Sequence, residues 1–102
     1  MPIRLESDLE KRVCQEAEAK GWKALKLVCV GHRGFPDRWF IRGIENEEDG
    51  ITTPEIVIIE FKAPGKRARK LQEYVCDMLR TMGLNVFSTI DNYEEAKEIL
   101  GL

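Results

Sequence analysis

Three charged residues in this sequence have the types and the spacing of a reactive site. Glu60 and Lys62 lie two residues apart at the end of an otherwise apolar run, so on a strand both side chains face the same side. Asp37 follows the rigid Pro36 at the start of the preceding predicted strand. If these two strands pair antiparallel, the start of one lies beside the end of the other, and Asp37 approaches Glu60.

Two neighbouring carboxylates repel each other unless a cation lies between them. Mg²⁺ prefers oxygen ligands and often takes only one or two carboxylates, with waters and phosphate oxygens completing its coordination. Such an ion polarises a phosphoryl oxygen and acidifies a bound water. Lys62 would then orient the attacking water or stabilise the charge of the transition state. Asp37, Glu60 and Lys62 together therefore predict phosphodiester hydrolysis.

The elements that must position these residues follow from hydrophobic periodicity and from turn residues. They are a helix at 7–20, strands at 22–30, 37–43 and 55–62, a helix at 66–82, a strand at 84–89 and a last helix capped by Asp91. The strand at 55–62 is nearly all apolar, which suits a central strand covered on both faces. The order α-β-β-β-α-β-α predicts a mixed α/β fold, and the length of 102 residues predicts a single domain, 1–102.

A longer pattern surrounds the three charged residues: Gly34-Phe35-Pro36-Asp37, then Glu60-Phe61-Lys62, then Lys66 and Gln72. This pattern resembles the PD-(D/E)xK nuclease superfamily and, within it, the virus-type replication-repair nuclease (VRR-NUC) branch. The resemblance covers almost the whole chain, from the first helix to the last. It implies a restriction-endonuclease-like fold in which helices flank a mixed central sheet.

The resemblance also implies roles for individual residues. Asp37, Glu60 and the backbone carbonyl of Phe61 would bind Mg²⁺ or Mn²⁺. Lys62 would be the catalytic lysine. Gln72, near the start of the second helix, would contact the nucleophilic water or the substrate phosphate.

An acid in the first helix would complete the site that the resemblance implies. Glu10 is the best candidate for this catalytic and metal-binding position, and Glu6, one turn earlier, is the alternative. Glu10 lies beside the apolar stripe of that helix and can therefore point towards the sheet. It also has a structural interpretation, because Ser7 and Glu10 have the spacing of a capping box.

Basic residues cluster around the same motif, although the chain has a net charge of −2. A chain can be acidic overall and still present one basic face to phosphates. Basic residues are unfavourable at a helix N-terminus, and this favours phosphate binding as the reason for those that open the second predicted helix. The predicted DNA-binding residues are Arg33, Lys66, Arg67, Arg69 and Lys70.

The remaining composition narrows the class of protein. The three cysteines form no CxxC pair and there is one histidine, so a zinc site of the Cys/His type is poorly supported. No apolar run approaches the roughly 20 residues that span a membrane, and the N-terminus lacks the apolar region of a signal peptide. We therefore expect a cytoplasmic protein that does not enter a membrane, in the host cytoplasm if it is viral.

The residues and the resemblance together predict a metal-dependent DNA endonuclease. Family members of this small size resemble junction-resolving dimers, which suggests a homodimer that acts on branched DNA, such as Holliday junctions, in replication, recombination or repair. Two alternatives stay open at this point. One is a non-catalytic nucleic-acid-binding module, and the other is a nuclease subunit that needs a partner protein.

Overall fold

The computed structural model describes residues 6–63 and 65–102. The elements follow the predicted order of helices and strands. They are α1 (Glu6–Ala19), β1 (Lys23–Lys26), β2 (Arg38–Glu45), β3 (Thr52–Phe61), α2 (Lys70–Thr81), β4 (Asn85–Ile90) and α3 (Tyr93–Leu100). Within the described residues, no helix is long and apolar enough to cross a membrane.

The four strands form one mixed sheet in the order β1-β2-β3-β4. β1 pairs antiparallel with β2, and β2 pairs antiparallel with β3. β4 then pairs with the other edge of β3 in parallel, after the crossover through α2. The predicted antiparallel pairing of the second and third strands is confirmed, and β3 is an interior strand.

Helices cover both faces of this sheet. Val57, Ile59 and Phe61 of β3 belong to a core cluster with residues of α1 and α3. Ile58, on the opposite face, packs in a second cluster with Val75 and other residues of α2. The two covered faces explain why the β3 sequence is almost continuously apolar, since successive side chains point to opposite sides.

The first strand is shorter than the predicted range 22–30. β1 ends at Lys26, and its pairing with the next strand extends by one contact, in which the Leu27 amide donates to the Asp37 carbonyl at 2.8 Å. The chain then turns, because the His32 amide donates to the carbonyl of Cys29. Beyond Lys26, half-buried Leu27 and Cys29 still alternate with Val28 and Val30, which are 82% and 88% exposed, although the strand has ended.

The second helix begins at Lys70 and not at Lys66, so the predicted start is wrong. The backbone amides just before the helix donate to side chains. The Ala68 amide donates to Thr89 Oγ1 at 3.4 Å, and the Arg69 amide donates to Gln72 Oε1 at 2.9 Å. Arg69 is consequently extended, with φ −72° and ψ 158°. The segment 66–69 therefore precedes the helix, so the expectation that its basic residues are unfavourable within the first turn does not apply to it.

Two predicted helix caps are also wrong. Ser7 lies inside α1, which removes the capping-box interpretation of Glu10. At α3 the cap is Asn92, whose side chain accepts from the Glu95 amide at 2.8 Å. The carboxylate of Asp91 instead accepts from the backbone amide of Gly65 at 3.2 Å, and this contact ties the end of β4 to the segment that precedes α2.

Candidate active site

Asp37 and Glu60 come together at one end of the sheet. β2 and β3 are in register with Arg38 opposite Ile59, so continuing the ladder by one residue places Asp37 opposite Glu60. Residues directly opposite each other in an antiparallel pair share one face of the sheet. The 23 residues that separate the two carboxylates in sequence are therefore bridged by strand pairing alone.

The turn that carries Asp37 is held from three sides. The Asp37 carbonyl accepts from the Leu27 amide, and the carbonyl of the buried Pro36 accepts from the Trp39 indole at 3.1 Å. Gly34 has φ +80°, and a Cβ at this position would lie 2.9 Å from the side chain of Leu71. The glycine of the Gly-Phe-Pro-Asp motif thus allows the turn to pack against the first turn of α2.

Glu60 contacts two of the predicted site residues. The Lys62 ammonium lies 3.6 Å from Glu60 Oε1, and the Gln72 amide nitrogen donates to the same oxygen at 3.0 Å. Gln72 uses its other atom, Oε1, to accept from the Arg69 amide at the start of α2. These contacts join Glu60, Lys62 and Gln72 on the α2 side of the sheet, and the strand register adds Asp37 opposite Glu60.

Glu60 is a buried carboxylate, with 8% of its surface exposed. Burial raises the pKa of Glu60 from its ordinary value of 4.5 to about 7, the charge of Lys62 lowers it, and the negative charge of Asp37 raises it. Lys62 therefore does not offset the lost hydration of Glu60 together with the charge of Asp37. An additional cation beside Glu60 would offset this cost.

The strand pairing is irregular at Glu60. Ile59 lies opposite Phe87, and Phe61 lies opposite Ile90, so two residues of β4 oppose Glu60. This is the count of a β-bulge, a feature that re-aims a side chain next to a site. One of these two residues, Thr89, has φ +59°, an unfavourable conformation for a β-branched residue.

Glu10 is near this group but does not contact Glu60. It lies on α1, and its carboxylate accepts from Arg38 at 3.0 Å. Lys26 joins Glu10 to the site, because its ammonium is 3.7 Å from Glu10 Oε2 and 3.9 Å from Asp37 Oδ2. Glu10 and Arg38 are on the α1 side of the sheet, whereas Glu60 is on the α2 side.

A cleft of about 420 Å³ lies between α1 and Asp37. It is lined by Glu6, Ser7, Glu10, Lys26, Asp37 and Ala63. Sequence reasoning missed two of the charged residues at this place, Lys26 and Arg38. Strand alternation places Arg38 on the opposite face from Asp37, towards the acids of α1, whereas nothing in the sequence around Lys26 indicates its partners.

The ligands that this site offers to a metal are oxygens. Within 6–63 and 65–102, no three His, Cys, Asp or Glu side chains form a group that could hold a metal ion. Asp37 and Glu60 form a pair of carboxylates, and Mg²⁺ commonly binds through one or two carboxylates while keeping several waters. The donor set fits Mg²⁺ or Mn²⁺ and lacks the thiolate and imidazole ligands of a structural zinc site.

The predicted DNA-binding residues lie in the segments that adjoin the site residues along the chain. Arg33 lies in the turn before Asp37, and the other four lie between the end of β3 and the first residue of α2. All five are exposed: Arg33, Lys66, Arg67, Arg69 and Lys70. Within the part of the chain that the structure describes, none of them forms an ion pair, so their charges are available to a polyanion.

Comparison with known proteins adds no relative: no protein-family model matches this chain, and no curated protein matches it. The resemblance to VRR-NUC nucleases therefore rests on the residues named above.

Proposed function

We propose that this protein is a metal-dependent DNA endonuclease with a restriction-endonuclease-like fold of the VRR-NUC type. The observation that carries the proposal is the position of Asp37 opposite Glu60, with the Lys62 ammonium 3.6 Å from the Glu60 carboxylate. Two carboxylates beside one lysine, at the end of a strand, are the groups that metal-assisted phosphodiester hydrolysis requires.

In this proposal Asp37, Glu60 and the Phe61 carbonyl hold Mg²⁺ or Mn²⁺, which supplies polarisation of the phosphoryl oxygen and a water of lowered pKa. Both described contacts of Glu60 are made to Oε1, which leaves Oε2 for the metal. Lys62 orients the attacking water and offsets the charge that develops on the phosphoryl group. Both the oxygen and the nitrogen of the Gln72 side-chain amide form hydrogen bonds within the protein. Gln72 therefore acts by orienting the Glu60 carboxylate.

The exposed basic residues supply contacts to the DNA backbone in this proposal. Such contacts position a nuclease on its substrate and carry no sequence information. We further propose that the substrate is branched DNA, that the active form is a homodimer, and that the protein works in the cytoplasm in replication, recombination or repair. Glu10, tied to Asp37 through Lys26, is the supporting acid of α1.

Cleavage of a panel of linear, nicked, flapped and four-way DNAs in Mg²⁺ and in Mn²⁺ tests the proposal. We expect Asp37→Ala, Glu60→Gln and Lys62→Ala each to lower the rate by at least about a hundredfold. Glu94→Gln, at an exposed position of α3, and Lys20→Ala, at the exposed residue just after α1, should leave the rate unchanged. Circular dichroism and size-exclusion chromatography establish that each variant is folded and report its oligomeric state.

Each alternative gives a different result in the same experiment. Full cleavage by all three site variants would refute the proposed mechanism. Salt-sensitive DNA binding without cleavage in either metal would show a nucleic-acid-binding module. Cleavage that appears only after a second protein is added would show a partner-dependent subunit.

A further inference from the structure

Lys26 is the one lysine of β1 that lies within reach of carboxylates in the described structure. It is the last residue of the strand, and its ammonium lies between Asp37 Oδ2, at 3.9 Å, and Glu10 Oε2, at 3.7 Å. These distances are those of ion pairs and are too long for hydrogen bonds. The Lys26 side chain is 56% exposed, so the ammonium can move into water at little cost.

The two carboxylates depend on Lys26 to different extents. Glu10 has a closer partner in Arg38, whose guanidinium donates to it at 3.0 Å from a side chain that is 19% exposed. Asp37 has no other ion pair within the described residues, and its side chain is 42% exposed. Lys26 therefore acts mainly on Asp37, the outer of the two carboxylates that face each other at the end of the sheet.

We propose that Lys26 is a positioning residue that serves as a built-in counter-cation of Asp37 and competes with the divalent metal for it. This inference rests on the proposed function, since it concerns the same metal site. A dication bound by Asp37 would lie within several ångströms of the Lys26 ammonium, and the two positive charges repel. Metal binding therefore displaces Lys26 from Asp37, and the lysine lowers the affinity of the site for metal.

The direction in which neutralising Lys26 changes the metal affinity distinguishes this role from a merely structural one. If Lys26 only held Asp37 in place, neutralising it would loosen the carboxylate and weaken metal binding. If Lys26 competes with the metal, neutralising it strengthens metal binding. At a partly exposed position, the loss of one positive charge near a dication should raise the affinity roughly three- to tenfold at low salt.

The test is calorimetric titration of the metal-free 102-residue chain with Mn²⁺, without DNA. We expect Lys26→Gln and Lys26→Met to bind Mn²⁺ three to ten times more tightly than the wild type, and Lys26→Arg to stay within twofold of it. Lys23→Gln, which removes the same charge from the same strand, should also stay within twofold. Raising the salt concentration should reduce the difference in Mn²⁺ affinity between the wild type and Lys26→Gln, because salt screens the repulsion between the lysine and the metal.

Unchanged or weaker Mn²⁺ binding by both neutral variants would overturn the role of Lys26 and leave the nuclease proposal intact. Absence of saturable Mn²⁺ binding by the wild type would overturn both proposals. Equal loss of binding in Asp37→Asn and Glu60→Gln shows that the titration reports the proposed site.

Discussion

Replacing Glu60 with glutamine should stabilise the protein at neutral and alkaline pH, although it removes a proposed metal ligand. Burial raises the pKa of Glu60 from 4.5 to about 7, so folding disfavours the ionised form. A group with a raised pKa contributes stability that is complete below pH 4.5 and is lost as the pH rises through about 7. At about 1.4 kcal/mol per pKa unit, the difference between the two values corresponds to about 3 kcal/mol.

The glutamine variant has no charge to bury, so it should not show this loss. The free energy of unfolding, measured by urea denaturation in EDTA, should therefore favour Glu60→Gln increasingly between pH 5 and pH 8, by about 2–3 kcal/mol. The comparison is a difference between two proteins at each pH, so the titration of carboxylates that do not interact with Glu60 cancels. Glu94→Gln on the exposed face of α3 is the matched control. Its free energy of unfolding should differ from that of the wild type by the same amount at every pH.

Adding Mg²⁺ gives the second part of this prediction. The wild type should gain stability at pH 8 because a ligand that binds only the folded state stabilises it by mass action. Glu60→Gln should gain much less, since it offers one charged ligand where the wild type offers two. A stability difference that does not change between pH 5 and pH 8 would refute the argument that Glu60 carries a large burial cost.

Three further predictions concern the elements around the site. Gly34→Ala should lower the free energy of unfolding by at least about 1 kcal/mol more than Gly31→Ala, since both have positive φ but only Gly34 would press on Leu71; equal urea midpoints would contradict this. Thr89→Gly should raise the thermal midpoint by relieving about 1 kcal/mol of backbone strain, and a lower midpoint would show that the threonine hydroxyl contact outweighs it. Arg67→Ala should weaken DNA binding and reduce the slope of log affinity against log salt by about 1, whereas an unchanged slope would place Arg67 away from the phosphates.

The sequence predicted the arrangement of β3 well because a local pattern carries it. A run of apolar residues with no polar alternation requires cover on both faces, and this places the strand inside the sheet. The alternation of side chains then places Glu60 and Lys62 on one side, and an antiparallel neighbour brings Asp37 to Glu60. These inferences need only the periodicity of a strand and one assumed pairing.

The features that the sequence did not predict depend on contacts between distant residues. The start of α2 is delayed because Thr89 and Gln72 accept the amides of Ala68 and Arg69, and helix propensity says nothing about such acceptors. Lys26 meets Asp37 only through the register of β1 and β2. The first strand was predicted too long because half-buried and exposed residues keep alternating after β1 ends at Lys26.

Features that lower the stability of the fold are concentrated at one end of the sheet. Glu60 is a carboxylate in a buried position, with a second carboxylate opposite it, and burial disfavours its ionised form. Thr89, which lies opposite Glu60 at the bulge, has the only positive φ among the described residues other than glycine. Neither feature helps the core, which packs through β3 side chains on both faces. Locally unfavourable residues and conformations that lie close together are expected where a site must be held in a fixed geometry. Here they lie together at the carboxylate that the proposed reaction requires.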